Sequence, residues 1–233
     1  GTNLGGGVWS LVGLTQAQLN ALTLTPPSGY SGTFNLTVTA TAHEGATVAG
    51  GGELQEADNT ASTSQSFSVL VNAVPSAGSA SNVVSEDGIE AVGHDHAGTQ
   101  AATTHEIATG TLSYDFGGDG PAASGRFAWS TTVGATDPDG GGSFSGLTSQ
   151  GQAVVWSVSA DGLTLTGSTA VTHDVVATLT ITNSATGAYS YEQIGSFDHP
   201  DIGQSGAADP INLGFSYTIK DGNGTTATGS LSI

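Results

Sequence analysis

The chain has 233 residues, with 2 Lys and Arg against 20 Asp and Glu, a formal charge of −18 and a sequence pI near 4.1. A surface this negative repels phosphate backbones and anionic lipid, which argues against nucleic-acid binding and membrane-surface docking. Cysteine and methionine are absent, so disulfides, thiolate catalysis and Cys-ligated zinc or iron–sulfur sites are excluded.

Charged residues make up 9% of the chain, so solubility falls to Ser, Thr, Asn and the 36 Gly. Such a composition suits pleated strands and turns and is poor for helices. No run approaches the roughly 18 apolar residues that span a bilayer. No Met opens the chain and no basic-then-apolar signal segment follows, so it reads as a processed product or an excised fragment.

In chain order, a first strand is expected around Val8 to Val12. One helix follows over Thr15 to Leu22: Thr15 caps it, Gln18 completes a capping box, Leu14 staples onto Leu19, and Leu19 and Leu22 turn inward. Further strands are expected near Leu22 to Leu24, at Phe34 to Ala40 (Phe34, Leu36 and Val38 on one face) and at Phe67 to Val71. Residues Val74 to Ser79 read as a flexible linker, with a new strand starting at Val83-Val84. This divides the chain into a unit at 1–74, a linker at 75–82 and a second unit at 83–233.

Period-two alternation then recurs: Val154, Trp156 and Val158; Leu163 and Leu165; Leu179 and Ile181; Tyr189 and Tyr191; Leu213, Phe215, Tyr217 and Ile219; Leu231 and Ile233. Turn formers separate these runs at Ala160-Asp161-Gly162, Asn183 to Gly187 and Asp221 to Gly224. Trp156 is in step with Val154 and Val158 and is expected to be buried; the aromatics as a set read as core, with a sugar-stacking platform as the alternative. The second unit holds enough strands for a complete β-sandwich, whereas the first does not. Either its N-terminal strands are missing, or a neighbouring chain supplies them.

Several of these stretches resemble a known family. Trp9-Ser10-Leu11 and the run Leu22 to Phe34, with its Pro26-Pro27-Ser28-Gly29-Tyr30, are similar to the C-terminal half of the Ig-like repeats in giant type I-secreted, repeats-in-toxin (RTX) bacterial adhesins. Gly110 to Gly117, Leu163 to Gly167, Ala185 to Tyr189, Phe197 to Pro200 and Lys220 to Ala227 resemble a longer repeat of the same proteins. The resemblance implies an all-β fold of tandem Ig-like (Greek-key) sandwich units, secretion to the bacterial cell surface, a spacer role in an adhesin stalk, and calcium that stiffens repeat junctions. The turn Asp221-Gly222-Asn223-Gly224-Thr225 departs from the more acidic Asp-Gly-Asp-Gly-Asp of such repeats, and Gly93 to His105 looks like a local insertion.

Calcium takes several hard oxygen ligands, often carboxylates brought together from loops. If successive strands run antiparallel, the turns at Asp161, Asn183 to Gly187 and Asp221 share one end, which also receives Glu86 and Asp87. The loops carrying Asp137, Asp139, Asp198, Asp201 and Asp209 then share the opposite end. Asp137-Pro138-Asp139-Gly140 is the best single motif; the competing reading is that Asp simply populates turns. His94, His96 and His105 can bind zinc or copper, or can be inert residues of a polar loop. No nucleophile elbow or phosphate-cradling loop is present, and no enzymatic activity is expected. Arg126 and Lys220, the only strong cations, are expected to serve as local counter-ions to carboxylates.

The sequence therefore points to a calcium-stiffened adhesin stalk or spacer, whose partners are neighbouring repeats or subunits and a host or surface ligand. Two alternatives stay open. One is a self-assembling filament subunit completed by a neighbour's strands. The other is a glycan- or protein-binding module, at Gly93 to Thr104 or at a pole.

Overall fold

The alternating runs become hydrogen-bonded strands along most of the chain. The computed structural model describes residues 1–43, 60–86, 89, 107–138, 146–199 and 210–233. It divides into two compact units, Gly1–Tyr30 and Ser31–Ile233.

In the first unit, β1 (Thr2–Gly5) and β2 (Val8–Ser10) form an antiparallel pair, and α1 (Gln16–Asn20) follows. Thr15 caps the helix as expected: its Oγ1 accepts from the Gln18 N–H at 3.3 Å, and Gln18 Oε1 accepts from the Thr15 N–H at 2.9 Å. The helix stops at Asn20, short of Leu22, and Leu19 and Leu22 stand about half exposed, not turned inward. Residues 22–24 form no strand, and Trp9 is exposed.

The second unit begins with a long hairpin of β3 (Gly32–His43) and β4 (Thr60–Val71). Phe34, Leu36 and Val38 stand opposite Val69, Phe67 and Gln65 on one face. On the other, hydroxyls pair across the strands: Thr37 with Ser66, Thr39 with Ser64 and Thr41 with Ser62, at 2.7–3.0 Å. These alternating faces explain why the strands extend well beyond the predicted 34–40 and 67–71.

The segment expected as a linker is built into the sheets as β5 (Ser76–Ala77) and β6 (Ser79–Ser81). Then come β7 (Ile107–Thr111), β8 (Tyr114–Asp115), β9 (Phe127–Thr136), β10 (Thr148–Ser149), β11 (Gln152–Val158), β12 (Thr164–Thr169), β13 (Val175–Asn183), β14 (Ala188–Gln193), β15 (Asn212–Lys220) and β16 (Thr226–Ser232). One sheet runs β10-β11-β12-β13-β14-β7 and the other β6-β16-β15-β9; β5 pairs with β8. Every pairing is antiparallel except β6 on β16.

The two larger sheets close over one apolar layer. Leu165, Leu179 and Tyr191 from the first meet Phe127, Phe215, Tyr217, Ile219 and Leu231 from the second, all between 0% and 1% exposed. Each such side chain contributes roughly 1.5–3 kcal/mol relative to exposure, so packing replaces the missing disulfides. Trp156 lies only half-buried in β11, its ring 5.5 Å edge-on from Phe215. Among the described residues the fold is all-β apart from α1 and a 3₁₀ turn at Gly117–Asp119.

Candidate functional site

The ends of the strands define two poles. At the first, the turns after β11, β13 and β15 lie together: the Leu112 N–H donates to the Gly187 carbonyl and the Trp129 N–H to the Gly162 carbonyl. Gly162, Gly187 and Gly224 take φ of 79°, 67° and 89°, the left-handed values that such turns require.

Asp221 lies at this pole and is fully buried. Its Oδ1 accepts from the N–H of Asn223 at 3.1 Å and of Thr225 at 2.7 Å, folding the turn around it. Its Oδ2 is buried without a hydrogen-bond donor. The Gly222 N–H donates to the Gly120 carbonyl, and a Cβ at Gly222 would stand 2.6 Å from the Asp119 carbonyl oxygen. Asp119 in turn accepts from the Ala73 N–H at 2.9 Å, and Asn72 pairs with both Asn223 and Thr225. This knot fastens the chain leaving β4 to the pole. A buried carboxylate oxygen with no donor is costly, and a hard cation is one species that relieves it. Asp221 therefore fits the calcium implied by the resemblance as one ligand. A cluster of three or more acidic or histidine ligands is not present among the described residues.

At the second pole Asp198 spends both oxygens on a turn: Oδ1 accepts from the Gln150 N–H at 2.9 Å and Oδ2 from the Gly151 N–H at 2.8 Å. Gln150 and Gly151 adopt φ of 54° and 72°, so the carboxylate holds a strained two-residue reversal. Asp137 follows β9 at the same pole. Asp87, Asp139, Asp201 and Asp209 lie outside the described residues, as do His94, His96 and His105.

Glu86 is placed differently from the expectation: it belongs to the second pole, not the first. The chain already forms β6 before reaching it, and β6, parallel to β16, carries the chain from one pole to the other. There Glu86 Oε1 accepts from Gln193 Nε2 and from the Phe197 N–H at 3.1 Å, and Oε2 faces His199 Nε2 at 3.2 Å. Gln193, almost fully buried, also takes the Tyr191 hydroxyl. Burial, and secondarily the Glu86 charge, pushes that phenol far above its ordinary range, so Tyr191 is a fixed donor. Sequence reading missed this network. Its signal was Gln193, which continues the inward alternation of Tyr189 and Tyr191 and so demands a buried partner. The two cations also depart from expectation, since neither Arg126 nor Lys220 forms an ion pair among the described residues.

The described residues thus define an all-β protein whose two larger sheets enclose one core, with polar networks at both ends. Residues 35–233 match the family described as Domain of unknown function (DUF5801), and the chain belongs to that family. No curated protein and no solved structure matches it.

Proposed function

We propose that this chain is an extracellular structural and adhesive module of a bacterial surface adhesin, whose Ig-like sandwich units act as a calcium-stiffened stalk or spacer in cell adhesion and biofilm formation. The observation that carries the reading is the path of the chain. It arrives at the first pole, where Asn72 and Ala73 are tied to Asn223, Thr225 and Asp119. β16 then runs to the second pole, where Ile233 exchanges backbone hydrogen bonds with Leu213. A unit whose strands run between two opposite poles in this way suits stacking pole to pole, the arrangement a spacer needs. The resemblance to RTX adhesin repeats supplies secretion and the cell-surface setting.

Calcium would neutralise part of the −18 charge and hold the poles. Asp221 would hold it at the first, Asp137 and Asp198 would line the second, and Glu86 is engaged by its own network. Thermal unfolding with millimolar calcium and with chelator tests this. Ligand at about a hundredfold its Kd stabilises by about 2.7 kcal/mol, or roughly 5–10 °C for a chain this long. Coincident midpoints would remove calcium from the proposal.

A second reading, a filament subunit completed by a neighbour's strands, is favoured by the β3–β4 hairpin. Its strands are twelve residues each and carry no Asp, Glu, Lys, Arg or Pro, and Val38 and Phe67 are about half exposed. Such edges lack the charges that usually block strand addition. Sedimentation velocity from micromolar to millimolar protein should then show growing oligomers, which Val38→Lys suppresses; a monomer throughout rejects the filament.

A further inference from the structure

The two strong cations of this acidic chain stand opposite each other. Lys220 closes β15 and Arg126 directly precedes β9, and the Lys220 N–H donates to the Arg126 carbonyl at 3.0 Å. The next pair along, Ile219 opposite Phe127, is fully buried. Strand alternation therefore sends both cationic side chains to the outer face. Like charges directly opposite on paired strands are destabilising. Yet among 20 Asp and Glu, neither cation has an ion-pair partner in the described residues.

Arg126 lines one shallow depression at the first pole, together with Ser124, Gly125, Asp161, Leu163 and Ser184. Lys220 Nζ lies on its rim beside Gly125, where an added Cβ would stand 3.6 Å from the nitrogen. Asp161 is engaged with its own turn, its Oδ1 accepting from Ser159 Oγ at 2.5 Å and the Leu163 N–H at 3.0 Å. The depression thus carries two positive charges and one committed negative one. That balance of about +1 matches a monoanion better than a dianionic phosphate.

We infer that Arg126 and Lys220 form a binding site for a carboxylate, which the guanidinium grips through its planar fork while the ammonium adds a second charge-assisted hydrogen bond. The site is independent of the calcium reading. Its carboxylate comes either from a small acid in solution or from a side chain of a second copy of this chain.

Heteronuclear NMR of the intact chain separates the two sources. The probe is sodium acetate, titrated at constant ionic strength against sodium chloride, reading the Arg126 side-chain N–H and the Ser124 and Gly125 amides. Saturable shifts absent from the chloride control are expected. Arg126→Gln and Lys220→Gln should each raise the half-saturating acetate concentration by roughly threefold or more. Both variants should keep the native amide spectrum away from the depression, so that any loss of the acetate shifts is local. If dilution without acetate moves the same resonances, and Arg126→Gln abolishes that movement, the second copy supplies the carboxylate. The inference is overturned if neither acetate nor protein concentration moves these signals beyond chloride, or if the shifts persist unchanged in both variants.

Discussion

Tyr217 shows how single residues stitch the sheets together. Its ring lies across Gly229 on the neighbouring strand, and its hydroxyl hydrogen is shared between the carbonyls of Ser113 at 2.6 Å and Gly78 at 3.1 Å. Burial raises its pKa, and the two backbone contacts oppose that shift. The same pairing recurs where Tyr189 faces Gly110 and Trp156 faces Gly167: in each case an added Cβ would stand within 3.0 Å of the ring. Aromatic side chains thus cover glycines that would otherwise weaken their strands. Tyr217→Phe should cost about 0.5–1.5 kcal/mol in urea unfolding with an unchanged slope, because the Ser113 and Gly78 carbonyls lose the donor they share while each keeps a backbone N–H. Gly229→Ala should cost about 1–3 kcal/mol through overpacking against that ring. A Gly229→Ala variant as stable as the native chain would show that the ring moves aside freely.

At the scale of elements, local chemistry was legible and non-local pairing was not. The inward positions of β12 to β16 alternate in the sequence as they do in the core, because each of these strands has one face buried. Thr15 and Gln18 announced their capping box because its partners lie three residues apart. The 76–81 segment misled because Ser, Ala and Gly flanked by Pro75 carry no alternation. Its strand character comes from pairing with residues 114–115 and, for 79–81, from register with Ser230 to Ser232, some 150 residues on; that parallel pairing also moved Glu86 to the other pole. Half-exposed Leu19 and Leu22 show the complementary limit, since a cap fixes where a helix starts and says nothing of what it packs against. Of the expected metal ligands, the separate poles of Asp221 and of Asp137 and Asp198 could be counted off from strand order, but the hydrogen bonds that occupy Asp198 could not.

The Asp161 turn gives a local test at the same scale. The Ser159 hydroxyl, then the Leu163 N–H, hold its carboxyl below the ordinary Asp range. A pKa lowered by folding favours the native state above the unfolded value, and the benefit is lost as pH falls through the folded one. Asp161→Ala should therefore melt below the native chain at neutral pH, and the gap should shrink as pH drops from about 4 downward. A gap independent of pH would assign the turn's stability to the neutral contacts alone.

Across the whole molecule, 20 acidic groups opposed by two cations leave a charge of −18, which makes self-repulsion a general cost of compactness. Screening and ion binding both relieve it, but they differ in form. Sodium chloride between about 0.01 and 1 M shortens the screening length from about 30 to 3 Å and should raise the melting midpoint gradually. Calcium held at a pole should act at millimolar concentration and saturate, beyond what magnesium or sodium does at equal ionic strength. Asp221→Asn sharpens the distinction, because the amide keeps an acceptor for the Asn223 and Thr225 N–H groups while removing the charge behind the orphaned oxygen. In chelator the variant should be at least as stable as the native chain, since a buried carboxylate short of partners is expensive. In calcium the order should reverse, with the native chain gaining several degrees and the variant much less. If both respond equally to calcium, the ion is acting as a screen, and the orphaned oxygen of Asp221 is not one of its ligands.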